Sequence, residues 1–298
     1  MKSITRCFFL MIFANAVHAG GFSLQDDGKH ITILENDKPV LVYNYAFVEV
    51  PEAVAQKTGP RQGYIHPLYG LDREILTDDY PDDHFHHRGV YWAWPYSAVG
   101  GKRFDLWALV GCHSEFVKWR QRQATESQAT LEVINMWVLD PTGETVVREE
   151  VSIRVHPASD LGRAIDFALR YTNVADREVT LEGTHDIDSG TGKVKGYGGF
   201  MYRIDASREP RVIATAEGVL PADDMRAKSP WADLSAPISP GGPFSGAAIF
   251  QHPGNPGYPH EGWLLRHYGT IGASWPCDRP HRMAPGDSVE LKYRLYVH

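Results

Sequence analysis

Apolar and polar residues alternate along much of this chain, and this period of two constrains its fold more than any other feature. Near the C-terminal end, Val289, Leu291, Tyr293, Leu295 and Val297 occupy every second position. Alternate side chains of a strand share one face, whereas a helix needs apolar residues three and four apart. Helical periodicity is nearly absent. The pattern predicts an all-β protein with very little helix.

Short alternating segments recur between turns, and they predict roughly fifteen strands in one large antiparallel β-sandwich. No shift in composition marks a boundary, so residues 20–298 are expected to form a single domain. The stretch Pro221–Pro243 is predicted to be a long irregular segment. The predicted strands include His30–Leu34, Pro39–Tyr45, Gln62–Tyr69, Asp105–Val110, Ala129–Leu139, Glu144–His156, Arg163–Asn173, Glu178–Gly183, Phe200–Ala206, Val212–Val219, Phe244–Gln251, Gly262–Tyr268, Thr270–Trp275 and Ser288–His298.

The first residues have the pattern of a secretory signal peptide. Lys2 and Arg6 precede a short apolar run, and small residues end at Ala19. This predicts that residues 1–19 are a leader and that the protein is periplasmic or extracellular. In an oxidising compartment, Cys112 and Cys277 could form a disulfide or remain two separate thiols.

Charge and hydropathy narrow the choice of partners. The formal net charge is -7, and no basic run could follow a phosphate backbone. This argues against a nucleic-acid partner. After the leader, no apolar stretch approaches the roughly 18 residues of a membrane span. The sequence leaves the oligomeric state open.

One stretch is much denser in proton-transferring groups than the rest. Residues 78–88 hold three histidines and an arginine, and an aromatic run with Trp92 follows. On an extended backbone, His84 and His86 would point to one side and His87 to the other. Buried polar groups in such number are costly, which favours a functional site. Four acids complete the stretch: Asp78, Asp79, Asp82 and Asp83.

Two paired histidines could transfer protons or ligate a divalent metal. The alternative is a structural role, in which the histidines and acids hydrogen-bond to one another and fix a tight turn. No cofactor is firmly implied. A zinc ion would need a third ligand from elsewhere in the chain, and the candidates are His66, His113, His185, Asp186 and His252.

Arg88 is the natural anion-binding group, because a guanidinium can hold a carboxylate by two hydrogen bonds. A salt bridge to Asp82 or Asp83 would instead make it structural. A second candidate region is the Gly-rich loop that ends in the sequence GYGG. There His185 beside Asp186 could form an acid/base pair, and Tyr197 could contact a sugar or transfer a proton.

Aromatic residues beside polar ones are typical of a carbohydrate site, although a Trp considered alone is more often part of the core. The sequence thus predicts two sets of site residues. The catalytic candidates are His84, His86, His87, Arg88, His185 and Tyr197. The substrate-binding candidates are Asp79, Asp83, Trp92, Lys195, Arg203, Trp231, His252, Trp263 and Arg266.

Several motifs resemble a family of exported bacterial proteins labelled PmoA-like. They span the chain after the leader, and the paired histidines are the most specific, with Phe85 where the family often has Pro. The resemblance implies a fold like the galactose-mutarotase-like β-supersandwich group, whose members bind, epimerise or cleave carbohydrates. The family label implies a methane monooxygenase subunit. That function does not fit a chain in which no membrane-spanning segment is predicted after the leader. The motifs are Tyr64–Tyr69, Thr77–Pro81, Asp83–His84, His86–Gly89, Trp92–Trp94, Lys195–Phe200, Ser229–Asp233, Ile249–Pro253 and Pro285–Ser288.

These observations predict an exported enzyme that cleaves a glycosidic bond. Histidine and arginine outnumber obvious carboxylate pairs in the central stretch, which favours a lyase acting on uronic-acid sugars by β-elimination. A glycoside hydrolase would need two carboxylates across the bond. The same fold could also serve a sugar epimerase or mutarotase, or a non-catalytic carbohydrate-binding protein.

Overall fold

The computed structural model describes residues 20–259 and 261–298. The predicted leader, residues 1–19, lies outside the described residues. Within the described part, the regular structure is β-strand apart from one short 3₁₀ helix, Glu52–Val54, and no helix there is long and apolar enough to cross a membrane. The prediction of an all-β fold with very little helix is confirmed.

The described residues form twenty-one strands, which we number in chain order. They are β1 Phe22–Asp26, β2 His30–Glu35, β3 Lys38–Asn44, β4 Tyr64–Leu68, β5 Val90–Ala93, β6 Ser97–Val99, β7 Lys102–Phe104, β8 Cys112–Ala124, β9 Ala129–Leu139, β10 Glu144–Val155, β11 Arg163–Asn173, β12 Val179–Leu181, β13 Gly199–Arg203, β14 Val212–Thr215, β15 Gly218–Val219, β16 Trp231–Pro237, β17 Phe244–Gln251, β18 Trp263–Arg266, β19 Thr270–Ser274, β20 His281–Met283 and β21 Ser288–Val297.

The strands form three antiparallel sheets. The eight-stranded sheet has the order β1-β2-β3-β4-β5-β13-β19-β18, and the nine-stranded sheet has the order β15-β14-β16-β17-β21-β11-β10-β9-β8. A four-stranded sheet, β20-β12-β6-β7, completes the fold. This is the large antiparallel sandwich that the alternation predicts.

The core lies between the two large sheets. Trp92 on β5 and Phe200 on β13 are cross-strand neighbours that both point toward the nine-stranded sheet. There, the Phe167 ring lies 6.2 Å from Trp92 and 4.9 Å from Phe200, and the Tyr293 ring stacks on Phe200 at 4.8 Å between centroids. Burial of these large apolar rings holds the sheets together.

The opposite face of the eight-stranded sheet carries a different set of side chains. Because successive residues of a strand alternate between faces, Tyr91 points away from the face of Trp92. The register pairs Tyr91 with Met201, and Arg203 follows two positions along the same strand. Tyr91, Met201 and Arg203 therefore share the outer face of this sheet.

Three local predictions are wrong. The segment Asp105–Val110 is a loop closed by a single bridge, because the two backbone hydrogen bonds within it join only its end residues. The segment Val212–Val219 turns sharply and forms two strands, β14 and β15. The Pro-rich segment Pro221–Pro243 contains strand β16, which pairs with β17 along its whole length.

The two cysteines within the described residues are both free and buried. Cys112 begins β8, and Cys277 lies after β19. The disulfide that the sequence left open is not formed.

Candidate functional site

Four strand ends meet at one end of the eight-stranded sheet. In antiparallel neighbours, the last residue of one strand lies beside the first residue of the next. Arg203, at the end of β13, therefore pairs with Thr270 at the start of β19, and its backbone N–H donates to the carbonyl of Gly89 just before β5. The dense polar stretch and the 266–270 turn are thus brought to the same place.

The histidines lie in two consecutive turns and not on a strand. The backbone N–H of His84 donates to the carbonyl of Pro81, and that of His87 donates to the carbonyl of His84. Residues three apart across such a turn can face each other. The structure therefore stacks His84 on His87, with ring centroids 4.7 Å apart and planes inclined by 16°. The prediction that His84 and His86 share one side of a strand is wrong.

Tyr268 completes a stack of three rings. Its ring lies 4.5 Å from that of His84, with the planes inclined by 13°. His86 stands edge-on to the stack, 4.8 Å from His87 and 6.1 Å from the Trp107 ring. We call these five residues, His84, His86, His87, Trp107 and Tyr268, the histidine cluster.

Burial keeps the inner histidines neutral. Burial, together with the neighbouring His84 and cationic Arg61, lowers the pKa of His86 from 6.5 to about 4. His87 is 1% exposed, and burial lowers its pKa well below the ordinary value. A neutral imidazole nitrogen keeps a lone pair that can accept a hydrogen bond, or a proton during a reaction. His87 Nδ1 has no hydrogen-bond partner among the described residues.

Arg88 is fully buried and already engaged. One amino group donates to Asp79 at 3.2 Å, and the other donates to the carbonyl of Gly59 at 3.2 Å. The Tyr80 ring lies against the guanidinium, 3.1 Å from its central carbon. The ion pair joins Arg88 to Asp79, and not to either of the two acids predicted as its structural partners. Its geometry is that of a structural group supporting the loop.

Within the described residues, Arg203 has two buried donor nitrogens without a partner, whereas Arg61 and Arg88 have one each. The Arg203 side chain is 1% exposed, and one amino group donates to Asp83 at 2.7 Å. Its Nε and its other amino nitrogen are buried without a partner within the described chain. Buried donors of this kind normally find a partner, so they point to ordered water or a ligand.

Asp83 connects the arginine to the cluster. Its second oxygen lies 3.1 Å from His84 Nδ1. Although burial acts to raise the pKa of Asp83, the contacts with His84 and Arg203 lower it overall. Asp83 is therefore a charged counter-ion under ordinary conditions.

A third buried guanidinium adds to the local positive charge. Arg61 donates to the carbonyls of Leu106 and Trp107 and lies over the Tyr91 ring, 5.3 Å from its centroid. Burial lowers its pKa to about 10, so it stays protonated at neutral pH. With Arg88 and Arg203, it forms a group of three buried cations beside the carboxylates of Asp78, Asp79 and Asp83, and these cations can contribute to binding an anionic ligand.

Two tyrosines supply protonated phenols beside the cluster. Tyr197 packs against Trp107, with ring centroids 5.0 Å apart, and its hydroxyl lies 3.5 Å from Asp186. Burial raises the pKa of both Tyr197 and Tyr268 above the ordinary value. These hydroxyls therefore remain proton donors at neutral pH.

A pocket of about 420 Å³ opens beside the cluster. Its wall includes Tyr268, Arg203 and Asp83, which link it directly to the groups described above. The volume is within the range of small-molecule sites.

Three predicted residues lie outside the cluster and have other partners. Arg266 shares the outer face of the sheet, but it is held by Asp223 at 3.2 Å and lies 3.8 Å from Asp188. His185 lies against the Tyr96 ring and is 3.3 Å from Glu182. The backbone N–H of Lys195 bonds to the carbonyl of Asp186 in the Gly-rich loop.

The four remaining predicted residues are distributed elsewhere. Trp92 and Trp263 are buried in the core, at 6% and 0% exposure. Trp231 begins β16 of the nine-stranded sheet, where it is the cross-strand partner of Phe250, and His252 directly follows β17. The structure therefore separates the sequence-predicted residues into an outer face, a core and a second sheet.

Sequence reasoning missed three members of the site: Arg61, Trp107 and Tyr268. Trp107 lies in a segment predicted to be a strand, and Tyr268 lies at the end of another. Arg61 sits in a loop without any motif. Nothing local marked them, since their role depends on contacts between segments that lie far apart in the chain.

The described residues contain no group of three or more His, Cys, Asp or Glu side chains that could hold a metal ion. Two of the predicted third ligands are committed to hydrogen bonds. His66 bonds to the hydroxyl of Thr77 at 3.0 Å, and His113 contacts Asp140 and Glu115.

Residues 30–298 match the model of a family of unknown function, DUF6807. The chain belongs to this family. The match includes every residue of the histidine cluster, so the site lies within the part that defines DUF6807 membership. No curated protein is similar enough to the chain to count as a match.

Proposed function

We propose that this chain is a carbohydrate-active enzyme that cleaves a glycosidic bond beside a uronic acid by β-elimination, with the histidine cluster as its active site. One arrangement carries the proposal: neutral imidazoles and protonated phenols lie together over three buried guanidinium groups. The imidazoles can accept a proton, the phenols can donate one, and the cations favour a substrate carboxylate.

Each group has a role in the reaction. His86 removes the proton from the carbon next to the substrate carboxylate. The electron pair left behind forms the carbon–carbon double bond, and the glycosidic oxygen leaves with the electrons of its C–O bond. Tyr197 or Tyr268 protonates that oxygen. Arg203 stabilises the negative charge that develops on the carboxylate, since Arg88 is occupied by Asp79 and Gly59.

The engaged carboxylates favour the lyase over a glycoside hydrolase. A hydrolase needs one carboxylic acid and one free carboxylate across the scissile bond. Asp79 bonds to Arg88 and to the Tyr64 hydroxyl, and Asp83 bonds to Arg203. Both act as counter-ions in these contacts.

The test is incubation of the purified protein with a panel of uronic-acid glycans, followed by ultraviolet absorbance of the unsaturated product. We expect the absorbance to rise with the parent protein. With His86→Gln, the rate of this rise should be lower by about 100-fold or more. The control His30→Gln changes a histidine that pairs with Asp27 on the first hairpin. It should leave turnover unchanged.

Product analysis by NMR separates the competing functions. New reducing ends without unsaturation would replace the lyase with a hydrolase. Exchange at a sugar carbon without any bond cleavage would favour an epimerase or mutarotase. Binding without turnover on every glycan would favour a carbohydrate-binding protein.

A further inference from the structure

A groove of about 850 Å³ lies on the outer face of the nine-stranded sheet. It is lined by β10, β11, β17 and β21. The core face of this sheet carries Phe167 and Tyr293, so the groove and the histidine cluster lie on opposite outer faces of the sandwich. The groove is therefore independent of the site proposed above.

Strand register explains the shape of the groove. The cross-strand partners Phe250, Arg294, Asp166 and Arg154 form one row across four strands. The adjacent row contains Ser152 and Ala168. Short side chains next to long ones leave a depression along the sheet.

The charges in the groove are predominantly positive. Asp166 holds Arg294 by two hydrogen bonds of 2.6 and 2.9 Å. Arg154 is exposed and has no ion-pair partner within the described residues. Lys292 also lines the groove and pairs with Glu290 at 2.7 Å. The chain as a whole has a net charge of -7, so this positive patch is a local region that can attract anions.

An exposed aromatic ring lies at the end of the same row. Phe250 is 37% exposed, and the Trp231 ring lies 6.0 Å from it between centroids. An aromatic ring can hold the apolar face of a sugar, while a guanidinium holds a carboxylate or sulfate by paired hydrogen bonds. The two features together fit an acidic sugar better than an inorganic anion.

We infer that this groove is a second, non-catalytic site that binds an acidic oligosaccharide. Phe250 supplies the platform for a sugar ring, and Arg154 supplies the contact to its anionic group. The volume accommodates a few sugar units. Such a site would hold a glycan chain on the protein without taking part in proton transfer.

The experiment measures binding of a defined oligogalacturonate by isothermal titration calorimetry. It uses the full chain carrying His86→Gln, so that the probe is not consumed. We expect Arg154→Gln and Phe250→Ala each to weaken the groove's affinity by at least about tenfold, which is a loss of about 1.4 kcal/mol. A neutral galacto-oligosaccharide of equal length should not bind there, and added salt should weaken binding of the acidic probe.

The control is Arg282→Gln, which removes an arginine whose side chain is 65% exposed and which pairs with Glu178 outside the groove. It should bind the probe like the parent chain. Melting temperatures check that all variants fold. Unchanged affinity in both groove variants, or no binding at all, would overturn the inference. If the parent chain turned over none of the glycans, the proposed function would be contradicted, but this binding result would still stand.

Discussion

Tyr268 stacks on His84 with 4.5 Å between ring centroids, and this contact joins the turn after β18 to the histidine turns before β5. Aromatic contacts of this kind contribute about 1 kcal/mol beyond buried area. Tyr268→Leu should therefore lower the free energy of unfolding by about 1–2 kcal/mol, whereas Tyr268→Phe keeps the ring and should change it by less than about 0.5 kcal/mol. Urea unfolding measures both, and equal losses would contradict a role for the ring.

His86 should make stability depend on pH. Its pKa is about 4 in the folded chain and near the ordinary 6.5 when unfolded. Between these values only the unfolded chain binds the proton, so the free energy of unfolding should fall as the pH drops from 6.5 to about 4. The loss from this residue is at most about 3 kcal/mol. NMR titration gives the pKa, and unfolding curves at several pH values give the slope.

The variant His86→Gln isolates this effect. It cannot take up the proton, so its stability should fall less over the same pH range. A His86 imidazole that titrates near 6.5 in the folded protein would refute the lowered pKa of this residue.

The accuracy of each strand prediction depended on how deeply the side chains of that strand are buried. Arg163–Asn173 alternates clearly because one of its faces packs in the core, and its predicted ends match the structure. The predicted ends of Ala129–Leu139 also match, although that sequence has apolar residues on both faces. Strand β8, Cys112–Ala124, escaped prediction because it lies at the sheet edge and most of its side chains are polar and partly or fully exposed. Strand β16 escaped because prolines surround it in sequence.

The site was predictable only in its local part. The sequence pointed to the 78–88 stretch, and the structure places its three histidines in one cluster. Their mutual arrangement depends on two turns that alternation cannot reveal. The partners Trp107 and Tyr268 come from distant segments, and their approach is set by strand register and loop closure.

The buried Arg88–Asp79 pair should be costly to break. Arg88 is 0% exposed and the Asp79 side chain is 13% exposed. Asp79→Ala leaves the guanidinium without its charge partner, which we expect to cost about 3–5 kcal/mol. The control is Asp176→Ala, which removes a carboxylate that is 87% exposed and pairs with Arg177. That change should cost less than about 1 kcal/mol. Similar losses in both variants would show that Arg88 is not held by this pair.

Gly89 fixes the junction between the histidine turns and β5. Its φ is +50°, and a Cβ at this position would lie 2.0 Å from the carbonyl oxygen of Ile65. Only glycine avoids this clash, because the opposing atom belongs to the backbone of β4 and cannot move aside. Gly89→Ala should therefore destabilise the fold by about 3 kcal/mol or more.

Gly101 provides the matched control, since its φ is +77° and a Cβ there would meet nothing within 4 Å. Gly101→Ala should cost only the backbone strain, about 1–2 kcal/mol. Thermal unfolding of the two variants separates strain from steric clash. If Gly89→Ala were no worse than Gly101→Ala, the close approach of Gly89 to β4 could not be what holds the histidine turns in place. The stack of His84 on Tyr268 would then have to position them.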